Sequence, residues 1–277
     1  MNAAFGARLR AVIDGRGPLC VGIDPHASLL SAWGLPDDPD GLERFALTVT
    51  EALADRVAIF KPQSAFFERH RSRGIAVLEK TIAAARAGGA LVLLDAKRGD
   101  IGSTVQAYAD AYLDPASPLF ADALTVNPFL GFGSLQPFYD AAAKHGSGVF
   151  VLALTSNPEG PEVQGAHAGD GRTVAATILD RVAEANAGAE PMGSLGAVVG
   201  ATVGDAAGGI DFARVNGPLL APGFGAQGGT AADLTRIFGA AIRNVLPATS
   251  RGLLAHGPTV DKLREAAART AEDLRSS

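Results

Sequence analysis

Three charged side chains follow an aliphatic run near residue 95. Asp95, Lys97 and Asp100 come directly after Ala90–Leu94, which predicts a parallel strand buried on both faces. Alternation along a strand places Asp95 and Lys97 on one side, and Asp100 falls in the turn before the next helix. Carboxylates on both sides stabilise the positive charge of a lysine ammonium group. The spacing therefore predicts that Lys97 acts as an acid.

The same triplet has a simpler explanation. Two aspartates and a lysine at these intervals arise readily by chance, and on a surface they would form a weak cluster of ion pairs. Their place at the end of a strand favours a functional role, because substrates of α/β folds bind where the carboxyl ends of the strands converge.

Composition limits the classes of partner. The formal net charge of −5 over 277 residues argues against general affinity for nucleic acid or anionic membranes, since both need a basic field. No apolar stretch approaches the length of a membrane span, and residues 1–17 lack the order of a secretory signal. We expect a cytoplasmic protein that binds neither nucleic acid nor membrane.

Cysteine and histidine give little support for redox or metal chemistry. Cys20 is the lone cysteine, and its aliphatic neighbours predict a buried, inert thiol. The five histidines are scattered without the spacing of metal ligands. We therefore expect no bound metal.

Short apolar runs alternate with helical patterns along the chain, and this alternation predicts parallel strands joined by helical crossovers. Eight such units and the chain length favour an α/β fold, a (β/α)8 TIM barrel, with residues 1–277 as one domain. The predicted strands are Leu19–Ile23, Val57–Lys61, Ala90–Asp95, Ala123–Val126, Gly148–Leu154, Leu195–Ala201, Pro218–Ala221 and Asn244–Thr249.

Helical patterns follow the strands. One begins after residues 37–40, with Asp40 as its predicted cap, and others begin after Ser134 and Thr173. The stretch 156–171 is too long and too rich in Gly and Pro for a simple connection. We expect it to form a lid or a binding segment.

Other predicted strands also end in polar residues. Asp24 follows the first strand, Lys61 ends the second, and Thr155 and Ser156 follow the fifth. Each alone is as consistent with a turn or a cap as with a ligand contact. Together they predict one polar cavity at the carboxyl edge of the barrel.

The strongest second signal is the glycine-rich segment Ala221–Gly229, which is followed one unit later by Arg251. Glycines let backbone amides approach an anion, and the loops after strands seven and eight of such barrels commonly hold phosphate. Arg251 would then form a bidentate clamp. The alternative is a loop rich in glycine only for its tight turns.

Taken together, these segments resemble the orotidine 5'-phosphate decarboxylase family, and within it the longer, second subfamily. They run in order along the chain: Gly22–Pro25, Phe60–Gln63, Asp95–Thr104, Thr125–Pro128, Leu154–Pro158, Pro222–Gly229 and Ser250–Gly252.

The resemblance implies cofactor-free loss of CO2 from orotidine 5'-phosphate, which gives UMP in pyrimidine synthesis. It implies that Lys97 protonates C6 of the ring and that Asp95 lies beside the departing carboxylate. Asp24 and Lys61 would bind the ribose hydroxyls, and Ser156 the amide edge of the pyrimidine.

The resemblance also implies a phosphate grip and a shared site. Gln227 and Arg251 would hold the phosphate, with Pro222 in the same substrate-binding loop. The family's site is shared across a homodimer, so Asp100 and Thr104 would reach into the partner's site. A single chain would then be incomplete.

Several alternatives stay open. Asn127 and Gln63 stand at plausible contact positions without a definite role, and Thr155 competes with Ser156 for the pyrimidine contact. A related barrel that acts on a sugar phosphate through a magnesium-stabilised enediolate has similar Asp, Lys, Asp spacing. A phosphate-binding barrel without turnover is a third hypothesis, although binding alone would not need an acid between carboxylates.

Overall fold

Eight parallel strands close into a barrel in the computed structural model, which describes residues 3–169 and 171–275. The strands pair in sequence order, and the register of Cys20 opposite Ala248 closes β8 onto β1. The strands are β1 Cys20–Ile23, β2 Ile59–Pro62, β3 Leu91–Arg98, β4 Ala123–Val126, β5 Gly148–Leu154, β6 Leu195–Val199, β7 Leu219–Pro222 and β8 Val245–Thr249. The predicted TIM barrel is confirmed.

Helices surround this barrel and connect its strands. They are α1 Phe5–Arg16, α2 Ala27–Ala32, α3 Pro39–Leu53, α4 Ser64–Glu68, α5 Arg71–Ala87, α6 Gly102–Leu113, α7 Gln136–His145, α8 Gly160–Gln164, α9 Val174–Ala185, α10 Ala231–Phe238, α11 Arg251–Leu254 and α12 Val260–Arg275. Within the described ranges, no helix is long and apolar enough to cross a membrane.

Two predictions about these connections were wrong. The connection from β6 to β7, which is described throughout, contains the 3-10 turns Gly204–Ala207 and Phe212–Val215 and no α-helix. Its repeated glycines disfavour a continuous helix. The cap of α3 is Asp38 and not Asp40, because Asp38 Oδ1 accepts hydrogen bonds from the next two free amides, 2.9 and 3.0 Å away.

Two apolar clusters hold the barrel together. The larger lies between the strands and the surrounding helices. The smaller joins α1 to inward-facing strand residues, with Phe5 packed edge-on against Phe150 at a centroid distance of 6.0 Å. Helix α1 therefore closes the amino-terminal end of the barrel and leaves the carboxyl end for the polar residues.

Candidate active site

The carboxylate of Asp95, on β3, is the centre of a polar network at the carboxyl end of the barrel. Its Oδ1 accepts hydrogen bonds from Lys97 Nζ at 2.6 Å and Thr125 Oγ1 at 2.8 Å. Its Oδ2 accepts hydrogen bonds from Lys61 Nζ at 3.1 Å and Gln63 Nε2 at 2.9 Å. Strands β2, β3 and β4 are neighbours, so the fold brings these donors to one carboxylate.

The network keeps its buried groups charged. Burial alone would raise the pKa of Asp95, but the charges of Lys61 and Lys97, with the hydrogen bonds from Lys97 and Thr125, hold that pKa well below its usual range. Burial alone would lower the pKa of Lys61, but the charges of Asp24 and Asp95 outweigh it and raise that pKa. Lys61 Nζ lies 3.9 Å from Asp24 Oδ1.

The backbone at Lys97 is unusual. Its φ of 49° lies in the left-handed region, which costs a residue with a side chain about 1–3 kcal/mol. The pairing of β3 with β4 also shifts register between Leu94 and Arg98. This bulge directs the lysine side chain along the network, and Thr125 Oγ1 accepts the Lys97 N–H at 3.0 Å.

The two lysines differ in exposure. The side chain of Lys61 is 8% exposed, whereas that of Lys97 is 44% exposed in the single chain. The ammonium group predicted to act as an acid is therefore anchored to Asp95 but is not shielded from water by this chain alone.

Beside the network lies a cavity of about 340 Å3, a size typical of small-ligand sites. It is bounded by the carboxyl ends of β1, β2, β7 and β8. Five of the predicted site residues line it: Asp24, Lys61, Pro222, Gln227 and Arg251.

Glycine keeps this cavity open at two points. A Cβ on Gly22 would lie 2.8 Å from Ser250 Cβ. Gly223 has a φ of 98°, and a Cβ there would lie 3.1 Å from Gln227 Oε1. The loop after β7 thus needs glycine for its turn and for the approach of Gln227.

Two buried polar atoms of cavity residues lack a hydrogen-bond partner among the described residues. Asp24 Oδ1 and Ser250 Oγ are buried and accept or donate no hydrogen bond among the described residues. Both residues line the cavity. Unpaired buried polar atoms are costly, so a polar partner at either atom would be stabilising.

Five predicted site residues are not among those that line the cavity: Asp95 and Lys97 of the adjoining network, and Asp100, Thr104 and Ser156. Ser156 and Thr104 are exposed. Asp100 is half-buried, and its carboxylate accepts the N–H of Ile101 at 2.8 Å. Within the described residues, Asp100 forms no ion pair with Lys97, so the expected flanking of Lys97 by two carboxylates is not present inside one chain.

The stretch predicted to be a lid is fastened to the end of β5. Thr155 N–H donates to Gln164 Oε1 at 2.8 Å, and Gln164 Nε2 donates to Thr155 Oγ1 at 2.7 Å. Thr155 Oγ1 also donates to Asn157 Oδ1 at 2.6 Å. The side chain of Thr155 is therefore engaged by the loop itself.

Sequence reasoning missed two members of the network. It left Gln63 without a role, although Gln63 follows Lys61 by two residues on an adjoining extended segment. It assigned no role to Thr125, whose hydroxyl lies in an otherwise apolar strand. A polar residue inside a buried strand was the available signal, because such a group must have a partner.

Cys20 is buried, and burial raises the pKa of its thiol to about 12, so it remains protonated at neutral pH. Among residues 3–169 and 171–275, no group of three His, Cys, Asp or Glu side chains is arranged to hold a metal ion.

Comparison with known proteins identifies the family. Residues 17–266 match the model of the orotidine 5'-phosphate decarboxylase / HUMPS family. The chain belongs to this family. Orotidine 5'-phosphate decarboxylase of Streptomyces coelicolor is 66% identical over 273 residues, covering 99% of this chain and 98% of that protein. The enzyme of the same name from Salinispora arenicola is 63% identical over 274 residues, covering 99% and 98%.

Solved structures of the family agree with this assignment. A Streptomyces avermitilis protein assigned to the same activity has a TM-score of 0.96 and 65% identity, covering 99% of this chain and 96% of that one. Leishmania donovani OMP decarboxylase has a TM-score of 0.77 and 31% identity, covering 99% and 98%. The predictions of family and enzyme class are confirmed.

Proposed function

We propose that this chain converts orotidine 5'-phosphate to UMP and CO2 without a cofactor, and that Lys97 donates the proton to C6. The observation that carries the proposal is the Asp95 carboxylate bound to two ammonium groups, Lys61 and Lys97, beside the cavity with the glycine-rich loop. The names of the relatives from Streptomyces coelicolor and Salinispora arenicola supply the substrate class.

The proposed chemistry addresses a localised charge. When the bond between C6 and the carboxylate carbon breaks, its electron pair stays on C6 in the plane of the ring, where the π system does not delocalise it. The Lys97 ammonium is a fixed positive charge for that pair and then transfers a proton from Nζ to C6. The neutral amine regains a proton from water after CO2 leaves.

Asp95 keeps the acid in place. An ionised carboxylate accepts hydrogen bonds only, so Asp95 orients Lys97 without competing for C6. Repulsion between Asp95 and the substrate carboxylate raises the energy of the bound substrate in a second account of the catalysis. We rank that effect below stabilisation of the developing charge by Lys97.

The remaining cavity residues bind the nucleotide. We assign the ribose hydroxyls to Asp24, whose Oδ1 lacks a hydrogen-bond partner among the described residues, and to Lys61. We assign the phosphate to Gln227 and Arg251, with the loop that starts at Pro222.

The lid supplies the contact to the base. We assign the amide edge of the pyrimidine to Ser156, since the Thr155 hydroxyl is already engaged by Asn157 and Gln164. Phosphate binding far from C6 raises the rate if it favours closure of this loop over the ring.

A homodimer would complete the site. We propose that Asp100 and Thr104 act in the partner's site. Half-exposed Lys97 leaves room for a further carboxylate, and apolar side chains are exposed on the loops after β3 and β4, with Ile101 60% and Phe129 74% exposed. An exposed apolar patch beside an incomplete site indicates an interface.

The cytoplasmic location stays a prediction.

The test is release of CO2 from orotidine 5'-phosphate by the purified protein. Lys97→Ala should abolish measurable turnover, while Lys80→Ala, an exposed lysine paired with Glu43 on the helical surface, should match the wild type. Absence of CO2 release by the wild type, or full activity of Lys97→Ala, would overturn the proposal.

A further inference from the structure

Arg98 follows Lys97 directly, and its guanidinium group is turned away from the cavity. It does not line the cavity, and its side chain is 25% exposed. Its hydrogen bonds go to the backbone of the bulge and to side chains of α4 and α6. Its contacts instead surround the bulge that sets the direction of Lys97.

One of these contacts acts on the bulge itself. Arg98 Nη1 donates to the carbonyl oxygen of Ala96 at 3.1 Å, and the carbonyl of Arg98 accepts the N–H of Asn127 at 2.8 Å. The carbonyl groups of the two residues that flank Lys97 are thus both fixed. Lys97 lies between them with its left-handed φ of 49°.

The other end of the guanidinium is fixed to two helices. Nη2 donates to Glu68 Oε1 at the end of α4, and that oxygen also accepts the Ser64 hydroxyl at 2.5 Å. On α6, the rings of Tyr108 and Tyr112 lie 5.7 and 5.8 Å from Cζ. Tyr108 and Tyr112 are stacked at 6.5 Å, so the helix presents both rings to the cation.

We propose that Arg98 is a positioning residue for Lys97, which anchors the strained bulge after Asp95 to α4 and α6. A left-handed lysine persists only when its surroundings determine the conformation, and Arg98 supplies the connection that Thr125 does not. A planar, forked guanidinium is required, because a lysine at this position would neither stack on two rings nor reach Glu68 and Ala96 together.

This inference rests on the proposed role of Lys97, so its test has two independent readouts. The first is kinetic. Arg98→Met should lower kcat on the order of 10²-fold, the loss that a misplacement of about 1 Å can cause, with little change in KM or in the Kd of UMP measured by calorimetry. Arg98→Lys should be intermediate, and Arg73→Ala, which breaks an exposed ion pair with Asp40, should equal the wild type.

The second readout does not depend on turnover. The side-chain 15N ammonium resonance of Lys97, assigned by its loss in Lys97→Ala, should shift or broaden in Arg98→Met and remain unchanged in Arg73→Ala. If the wild type released no CO2, the proposed function would fail while this resonance still tested the positioning role.

Glu68→Gln keeps the test decisive if Arg98→Met does not fold. It weakens the anchor on α4 and leaves the guanidinium in place, so kcat should fall by a smaller factor and the resonance should move in the same direction. A lowered melting temperature with wild-type kcat and an unmoved Lys97 resonance would show that Arg98 only joins the helices, and would overturn the inference.

Discussion

Replacing Asp95 by Asn tests the charge balance on which the site depends. The change keeps the shape of the side chain and removes its negative charge. Lys61 and Lys97 then lose their shared anionic partner. Among the described residues, the carboxylate left to Lys61, whose side chain is 8% exposed, is that of Asp24 at 3.9 Å. The new amide NH2 would also face hydrogen-bond donors, since Gln63 and Thr125 both donate to the carboxylate of Asp95 in the wild type.

The magnitude follows from the burial of this pair. Removing one partner of a buried ion pair destabilises a protein by about 3–5 kcal/mol, because the other charge is left uncompensated. For a chain of this size, that corresponds to a fall of about 5–15 °C in the melting temperature. Asp55→Asn is the matched control, since its ion pair with Arg56 is exposed and contributes about 0–1 kcal/mol.

The pH dependence provides a second measure of the same charge. The pKa of Asp95 is lowered by folding, so the ionised group stabilises the fold above its unfolded value, about 3.9, and that contribution is lost as the pH falls. The difference in melting temperature between wild type and Asp95→Asn should therefore be full near neutral pH, begin to shrink below about pH 5, and continue to shrink as the pH falls toward the lowered pKa of folded Asp95.

Thermal unfolding across this pH series is the assay, with each variant's CO2 release measured alongside. An Asp95→Asn protein as stable as the wild type at neutral pH, or more stable, would refute the reasoning. Such a result would mean that the ionised Asp95 carboxylate destabilises the folded protein, as groups in strained active sites do. Its attraction to Lys61 and Lys97 would then be too weak to compensate.

Further predictions concern substrate binding and assembly. Arg251→Ala should mainly raise KM and Lys97→Ala mainly lower kcat, and equal effects on both constants from both changes would contradict their separate roles. Gly223→Ala should raise KM, measured by steady-state kinetics, because its φ of 98° disfavours a side chain and Gln227 lies against the added methyl group. Inactive Lys97→Ala and Asp100→Ala chains, once mixed and exchanged, should regain roughly a quarter of wild-type CO2 release, since half of random dimers carry one intact site. Activity should survive dialysis against a chelator, and its loss with recovery on added magnesium would favour enediolate chemistry.

Much of the barrel was predictable from local patterns. Unbroken aliphatic runs at β3 and β5 can only be covered on both faces, and parallel strands place Asp24, Lys61 and Asp95 at one edge. The positions of the strands followed directly, with differences of a few residues at their ends. The absence of an α-helix between β6 and β7 was not predicted, because the alanines of this described segment favour a helix while its glycines do not.

The connections within the site were less predictable, because they depend on register between strands. Lys61 was assigned to ribose, yet its nearest oxygen belongs to Asp95, at 3.1 Å. The bulge that turns Lys97 carries no sequence signal, since lysine is not a residue that favours a positive φ. The prediction that Asp95 and Lys97 share a side assumed the alternation of a regular strand. In the structure, the positive φ of Lys97 and the register shift in β3 accompany the contact between the two side chains.

The different exposure of Lys61 and Lys97 indicates different roles for the two lysines in the site. Asp24 and Asp95 balance Lys61 and Lys97, so the four-residue network is neutral before substrate binds. Lys61 is enclosed and keeps Asp95 ionised, whereas Lys97 has one open side from which a ring carbon can approach. In the proposed decarboxylation, the negative charge moves from the substrate carboxylate to C6 without any change in total charge. A site with its dipoles already fixed would need no reorganisation for that step, and in the proposed mechanism the exposed Lys97 ammonium ends it with a proton.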